Sequence, residues 1–159
     1  MFTLTTMTSR LALGASLSVA LLVAAPRAQA ALGEPLESVQ ADRAALRAVD
    51  RGSKVRRSYS VHELRAGGTV IREYAGPSGT VFGIAWKGLA HPDLTQLLGK
   101  YTPEYQEARR KAHRQAGRRH QRLETDHLVV ETWGQMRNLQ GRAYDPSLLP
   151  PGVAPDDLT

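Results

Sequence analysis

Residues 68–87, GTVIREYAGPSGTVFGIAWK, constrain this chain more than any other stretch. They read as two β-strands joined by a tight turn at Gly76, Pro77, Ser78 and Gly79, residue types that such a connection needs. The second strand, 80–87, is apolar on both sides. Phe82, Ile84 and Trp86 make one large apolar face, and Val81, Gly83 and Ala85 make a smaller one. A strand with two apolar faces belongs in the middle of a sheet covered on both sides. The small face predicts close approach of another backbone, that of a helix.

The rest of the chain is arranged around this hairpin. Residues 36–49 repeat Leu36, Val39, Leu46 and Val49 at helical spacing, which predicts an amphipathic helix ending near Gly52. Residues 53–57 read as a polar link. Tyr59 and Val61 alternate with Ser60 and His62, which predicts a half-buried strand over 58–64. Residues 69–75 form the next strand, with Arg72 and Tyr74 on one side and Glu73 on the other. Pro92 followed by Leu94, Leu97 and Leu98 predicts a short helix; Thr102, Pro103 and Glu104 predict the start of a second that runs to about Gln115. Two further strands are expected, over 126–132 and 135–144, with the turn at Trp133 and Gly134. The last is irregular at Gly141, and the Pro-rich tail 145–159 is extended. This order predicts an α+β fold: an antiparallel sheet of about five strands, a three-strand meander plus a C-terminal hairpin, with an N-terminal helix and one or two helices inserted before the hairpin.

The first 30 residues have a different character. Arg10 precedes an apolar run over 11–25, Pro26 breaks it, and Ala28, Gln29 and Ala30 present small residues at a cleavage site. This is the pattern of a cleaved secretory signal, too short to span a bilayer. A single domain over 31–159 in the periplasm or outside the cell is the expectation. An uncleaved anchor or a buried N-terminal helix would read the same way. The chain has no cysteine, so thiol chemistry, iron–sulfur clusters and disulfide staples are excluded.

The net charge of +6 falls to +4 without the leader, which contains Arg10 and Arg27 and no acid. The excess is concentrated in residues 109–122, RRKAHRQAGRRHQR, which contain no acid. Arg109, Arg110, Lys111, Arg114, Arg118 and Arg119 form a candidate anion-binding patch for lipid head groups or acidic polysaccharide. The plainer reading is a solvated helix and loop. No aromatic residue interrupts the segment, so nucleic acid is disfavoured as the partner.

Other chemistry is sparse. The five histidines, His62, His91, His113, His120 and His127, include no i, i+4 pair; only His120 and His127 beside Glu124 and Asp126 resemble a cluster, and no metal or other cofactor is expected. Arg72, framed by Tyr74, is a candidate for holding a ligand carboxylate. The plainer reading is a cross-strand ion pair between Arg72 and Glu63. No serine sits in a hydrolase motif, and no phosphate loop or dinucleotide fingerprint occurs, so no catalytic residue is assigned.

Several short blocks, Tyr59-Ser60-Val61-His62-Glu63, residues 68–74, residues 79–86, residues 92–99, and Gly141-Arg142-Ala143-Tyr144 before Pro146-Ser147-Leu148-Leu149-Pro150, together with the leader ending, carry a resemblance. The chain resembles a family of small exported proteobacterial proteins known only as a domain of unknown function. The resemblance implies export and one domain; it brings no activity or site residue. Residues 109–122 fit it least well. Three readings of function stay open: a non-enzymatic protein that binds an envelope partner or a small ligand or assists envelope assembly, a small hydrolase or lyase whose residues converge only in three dimensions, or an anion-binding protein that uses residues 109–122.

Overall fold

The computed structural model describes residues 32–36, 43–44, 46–112 and 120–159. The leader, most of the expected N-terminal helix, and His113, Arg114, Arg118 and Arg119 lie outside the described residues. Seven described strands make one antiparallel sheet: β1 (Val49–Val55), β2 (Ser60–Ala66), β3 (Thr69–Ala75), β4 (Val81–Gly88), β5 (His120–Glu124), β6 (Val129–Gln135) and β7 (Asn138–Tyr144). The order across the sheet is β1-β2-β3-β4-β7-β6-β5. Two meanders therefore lie side by side, β1 to β4 and β5 to β7, and β4 is the fourth strand of seven. The helical connection after β4 holds α1 (Leu94–Leu97), a 3-10 turn (Gly99–Tyr101) and α2 (Thr102–Lys111).

The fold is thus more β than the expected α+β arrangement of five strands. Among the described residues, the only helix longer than one turn is α2 with the 3-10 turn that leads into it. Both unexpected strands are sheet edges. All seven residues of β1 are exposed, and β5 is exposed except at Leu123. With no buried face they carry no apolar alternation, so they read as a polar link and as the end of the basic segment, beyond the expected helix. Val49, expected at the end of a helix, begins β1; the chain turns before it, at Leu46 and Arg47. The turn between the last strands sits at Met136 and Arg137, not at Trp133 and Gly134, and Arg137 takes a positive φ of 66° there.

The 76–79 turn closes as expected, with Gly79 donating to the Gly76 carbonyl at 2.9 Å and Gly79 at φ 78°. The two faces of β4 need a correction. A register shift between β3 and β4 pairs Tyr74 with Gly83 but Ala75 with Val81, leaving Phe82 as the extra residue of a β-bulge. Phe82 therefore packs with Tyr74, Ala85 and Tyr144, whereas Val81, Ile84 and Trp86 pack on the opposite face.

The face of Ile84 and Trp86 lies under the helices. Ile71, Val130 and Ala143 meet Leu94, Leu97, Leu98, Tyr101 and Tyr105 there, with Leu32 fully buried among them. Gly141 is part of a regular strand, and its lack of a side chain has a packing cause. A Cβ at Gly141 would lie 2.3 Å from the Trp86 ring and 2.7 Å from the Glu131 carbonyl oxygen.

The opposite face is covered by the tail and not by a helix. Leu158 is fully buried over Gly83, where a Cβ would come within 2.9 Å of it. Leu148, Leu149 and Val153 pack beside it against Tyr74, Phe82, Val129 and Tyr144. Two 3-10 turns, Pro146–Leu148 and Pro155–Asp157, shape this covering segment.

Candidate functional site

Register places the chemistry of this sheet in rows that run across the strands. On the tail-covered face one row reads Gly52, Glu63, Arg72, Ala85, Arg142, Glu131 and Arg122, from β1 to β5. Ala85 divides it into two ion-pair systems.

The first is Arg72 with Glu63. Arg72 Nε donates to Glu63 Oε2 at 3.0 Å, the cross-strand pair that the sequence offered as the plainer reading. Both side chains are about one-third exposed, so the pair contributes at most about 1 kcal/mol. Arg72 has further duties. Its Nη1 donates to the main-chain oxygen of Thr159 at 2.7 Å, and Tyr74 Oη donates to the same oxygen at 2.9 Å. The Thr159 amide donates back to Tyr74 Oη at 3.0 Å. Burial raises the Tyr74 pKa, while the bond to Thr159 and the nearby Arg72 pull it down less strongly.

Around this point lies a cleft of about 540 Å³ between β1, β2, β3 and the tail. Arg51, Lys54, Arg56 and Arg72 line it against Glu63 and Asp157, with the rings of Tyr59 and Tyr74 in its wall. The sequence singled out Arg72 and Tyr74 but not Arg51, Lys54 or Arg56. Those three lie on or beside β1, whose strand character only pairing with β2 creates.

The second system centres on Glu131, which is buried. Arg142 Nε and Arg122 Nη1 both donate to its carboxylate, and Arg142 Nη1 reaches the Pro155 carbonyl and Asp156. Burial opposes the charge on Glu131, but the bonds from Arg142 and Arg122 outweigh it and hold the pKa below the usual range. Arg142 also lies over the Trp133 ring at 5.6 Å. This system ties the tail to the sheet, so its role is to hold the fold.

Within the basic segment 109–122 the described cations differ in placement. Arg109, Arg110 and Lys111 end α2 and are exposed, whereas Arg122 belongs to β5 and turns to the other face of the sheet. Lys111 pairs with Glu107 at 2.8 Å, and Arg109 lies over the Tyr105 ring at 5.5 Å. Arg109 and Arg110 border an open depression of about 610 Å³ with Gln106 and Gln121. The two histidines beside Glu124 and Asp126 diverge: His120 stacks on Trp133, and His127 lies 3.8 Å from Glu104. Among the described residues no group of three or more His, Asp or Glu side chains is placed to hold a metal ion. His91 also has a local role, accepting from the Trp86 indole at 2.9 Å through Nδ1.

Among the described residues no helix is long and apolar enough to cross a membrane. Comparison with curated proteins and with solved structures gave no match. A family model does match, over residues 28–158, and its span takes in every described strand, both helices and the tail through Leu158. The chain belongs to the family described as Protein of unknown function (DUF2844).

Proposed function

We propose that this is an exported, non-enzymatic binding protein of the cell envelope, and that the cleft beside Arg72 and Tyr74 holds an anionic group of its ligand. One observation carries the reading: two side-chain donors, Arg72 Nη1 and Tyr74 Oη, converge on a single oxygen inside a cleft lined by three further cations. An oxygen held by a guanidinium and a phenol is the pattern that recognises a carboxylate or phosphate. The Thr159 oxygen now in that position stands in for such a group. Arg51, Lys54 and Arg56 are exposed, so they attract an anion without a desolvation penalty. Export is supported by the leader pattern over residues 1–30.

The test is a titration of the isotope-labelled protein with citrate and with inorganic phosphate. Amide shifts should saturate and cluster in β1, β2, β3 and residues 157–159, and Arg72→Gln should weaken the response about tenfold. Shifts spread evenly over the surface, or an unchanged response in the variant, would remove the cleft from consideration. A second reading rests on the depression beside Arg109 and Arg110. Shifts confined to α2 and Gln121 would favour that anion site instead.

A further inference from the structure

The row next to the ion pairs, on the same face, is open to solvent along its length. Register places Arg65, Val70, Lys87, Gln140, Trp133 and His120 opposite one another in succession, from β2 to β5. The tail covers the sheet at the far side of the ion-pair row, over Gly83 and Tyr144, and leaves this strip open. Arg65, Lys87 and His120 are exposed; Val70, Gln140 and Trp133 are partly so. Six adjacent strands at about 4.8 Å spacing make a track roughly 24 Å long.

Its composition is one-sided. The strip contains no acid, and among the described residues neither Arg65 nor Lys87 enters a salt bridge. At one end the Trp133 indole lies flat beside His120, with centroids 6.4 Å apart and planes 27° apart. The Gln140 amide is steadied next to it by Asn138 at 3.2 Å.

We infer that this strip is a binding track for an acidic polysaccharide laid across the strands. Carboxylates of uronate-like units meet the Arg65 and Lys87 cations. A sugar ring packs its apolar face on the part of the indole that Arg142 and His120 leave uncovered, a rigid, amphipathic surface. The Gln140 amide offers both a donor and an acceptor to hydroxyl groups. Single-stranded nucleic acid fits less well, because it wants successive stacking platforms and the strip has one aromatic pair at one end. The inference is independent of the Arg72 cleft, since the strip residues are not those that line the cleft.

The full chain tests it with a defined oligogalacturonate, a neutral cello-oligosaccharide and an oligothymidylate as probes. Tryptophan fluorescence is the readout. Trp86 is buried, so a change on titration reports Trp133. The oligogalacturonate should bind saturably and shift the emission, and the neutral sugar should not. Arg65→Gln with Lys87→Gln should raise Kd about tenfold. Both side chains are exposed, so the circular dichroism spectrum of that variant should match the parent. Trp133→Phe should abolish the emission change. Arg72→Gln should leave the affinity within about twofold, which separates this track from the cleft. The inference is overturned by absence of saturable binding, by unchanged affinity in the double variant, or by tighter binding of oligothymidylate. It is also overturned if neutralising Arg109, Arg110 and Lys111, and not Arg65 and Lys87, removes binding.

Discussion

On one face of the sheet Ile71, Ile84, Trp86 and Val130 lie under α1 and α2; on the other, Tyr74, Gly83, Ala85 and Tyr144 lie under fifteen residues of Pro-rich tail. The helical side is closed chiefly by apolar contact over a broad area, with a few polar ties such as Trp86 to His91 and Tyr101 to Asp145. The tail side is closed by the buried Leu158 with Leu148, Leu149 and Val153 beside it, and by polar ties: Arg142 to Pro155 and Asp156, and Arg72 and Tyr74 to Thr159. A short segment cannot bury enough apolar surface to cover seven strands. It covers the central strands and leaves a row from Arg65 to His120 open. The helix-covered face and the face on which the proposed binding strip lies are therefore two sides of the same strands.

That contrast can be broken at specific positions. The largest effect should come from Gly141→Ala on the helical side. The new Cβ meets the Trp86 ring on one side and the Glu131 main chain on the other, and the main chain cannot yield. Overpacking of this kind should cost about 3 kcal/mol or more and lower the urea midpoint of the whole sheet. A variant as stable as the parent would mean that the ring has room to move.

Leu158→Ala should come next, at about 2 to 3 kcal/mol, because it empties the site over Gly83. Hydrogen exchange should separate it from the first variant. Amides of 145–159 should exchange faster, while β4 and α2 keep most of their protection. Uniform acceleration across both faces would show that the tail is integral to the core and not a cover laid over it.

The smallest effect concerns pH. Trp86 donates to His91, and burial lowers the His91 pKa, so the folded chain favours the neutral ring. The unfolded chain takes up the proton first as pH falls. This contribution is therefore complete above the ordinary histidine value near 6.5 and is lost as pH drops through the lowered value. His91→Gln keeps an acceptor for the indole and removes the titration. Between about pH 7.5 and about pH 5 the variant should lose less stability than the parent, by under about 1 kcal/mol in urea unfolding. Equal losses would show that His91 makes no contribution to the pH dependence.

Legibility followed burial. The β3–β4 turn and the strand apolar on both sides were readable because Pro77, Gly79 and the run from Val81 to Trp86 state their needs locally. The pairing of Arg72 with Glu63 was readable because two neighbouring strands with a short turn have a predictable register. The edges were not. In β1 and β5 no face is buried, so no periodicity marks them, and about five strands were expected where the described residues hold seven. The candidate sites suffered most from this. Arg51, Lys54 and Arg56 join the cleft only because β1 pairs with β2, and Arg122 leaves the side of Arg109 and Arg110 only because it enters β5.

By itself the amino-acid sequence determined that β4 would be central, that the chain would fold without cysteine chemistry, and that Arg72 and Tyr74 would share a face. These depend on local alternation and composition, which the chain carries wherever it goes. The tertiary structure alone decided which segment covers each face, that a bulge turns Phe82 away from Ile84, and that Trp86 lies across Gly141. It also decided that cations from β2 and β4 line up with Trp133 and His120 on β6 and β5. Those outcomes depend on register and contact between residues far apart in the chain, and no local window contains them.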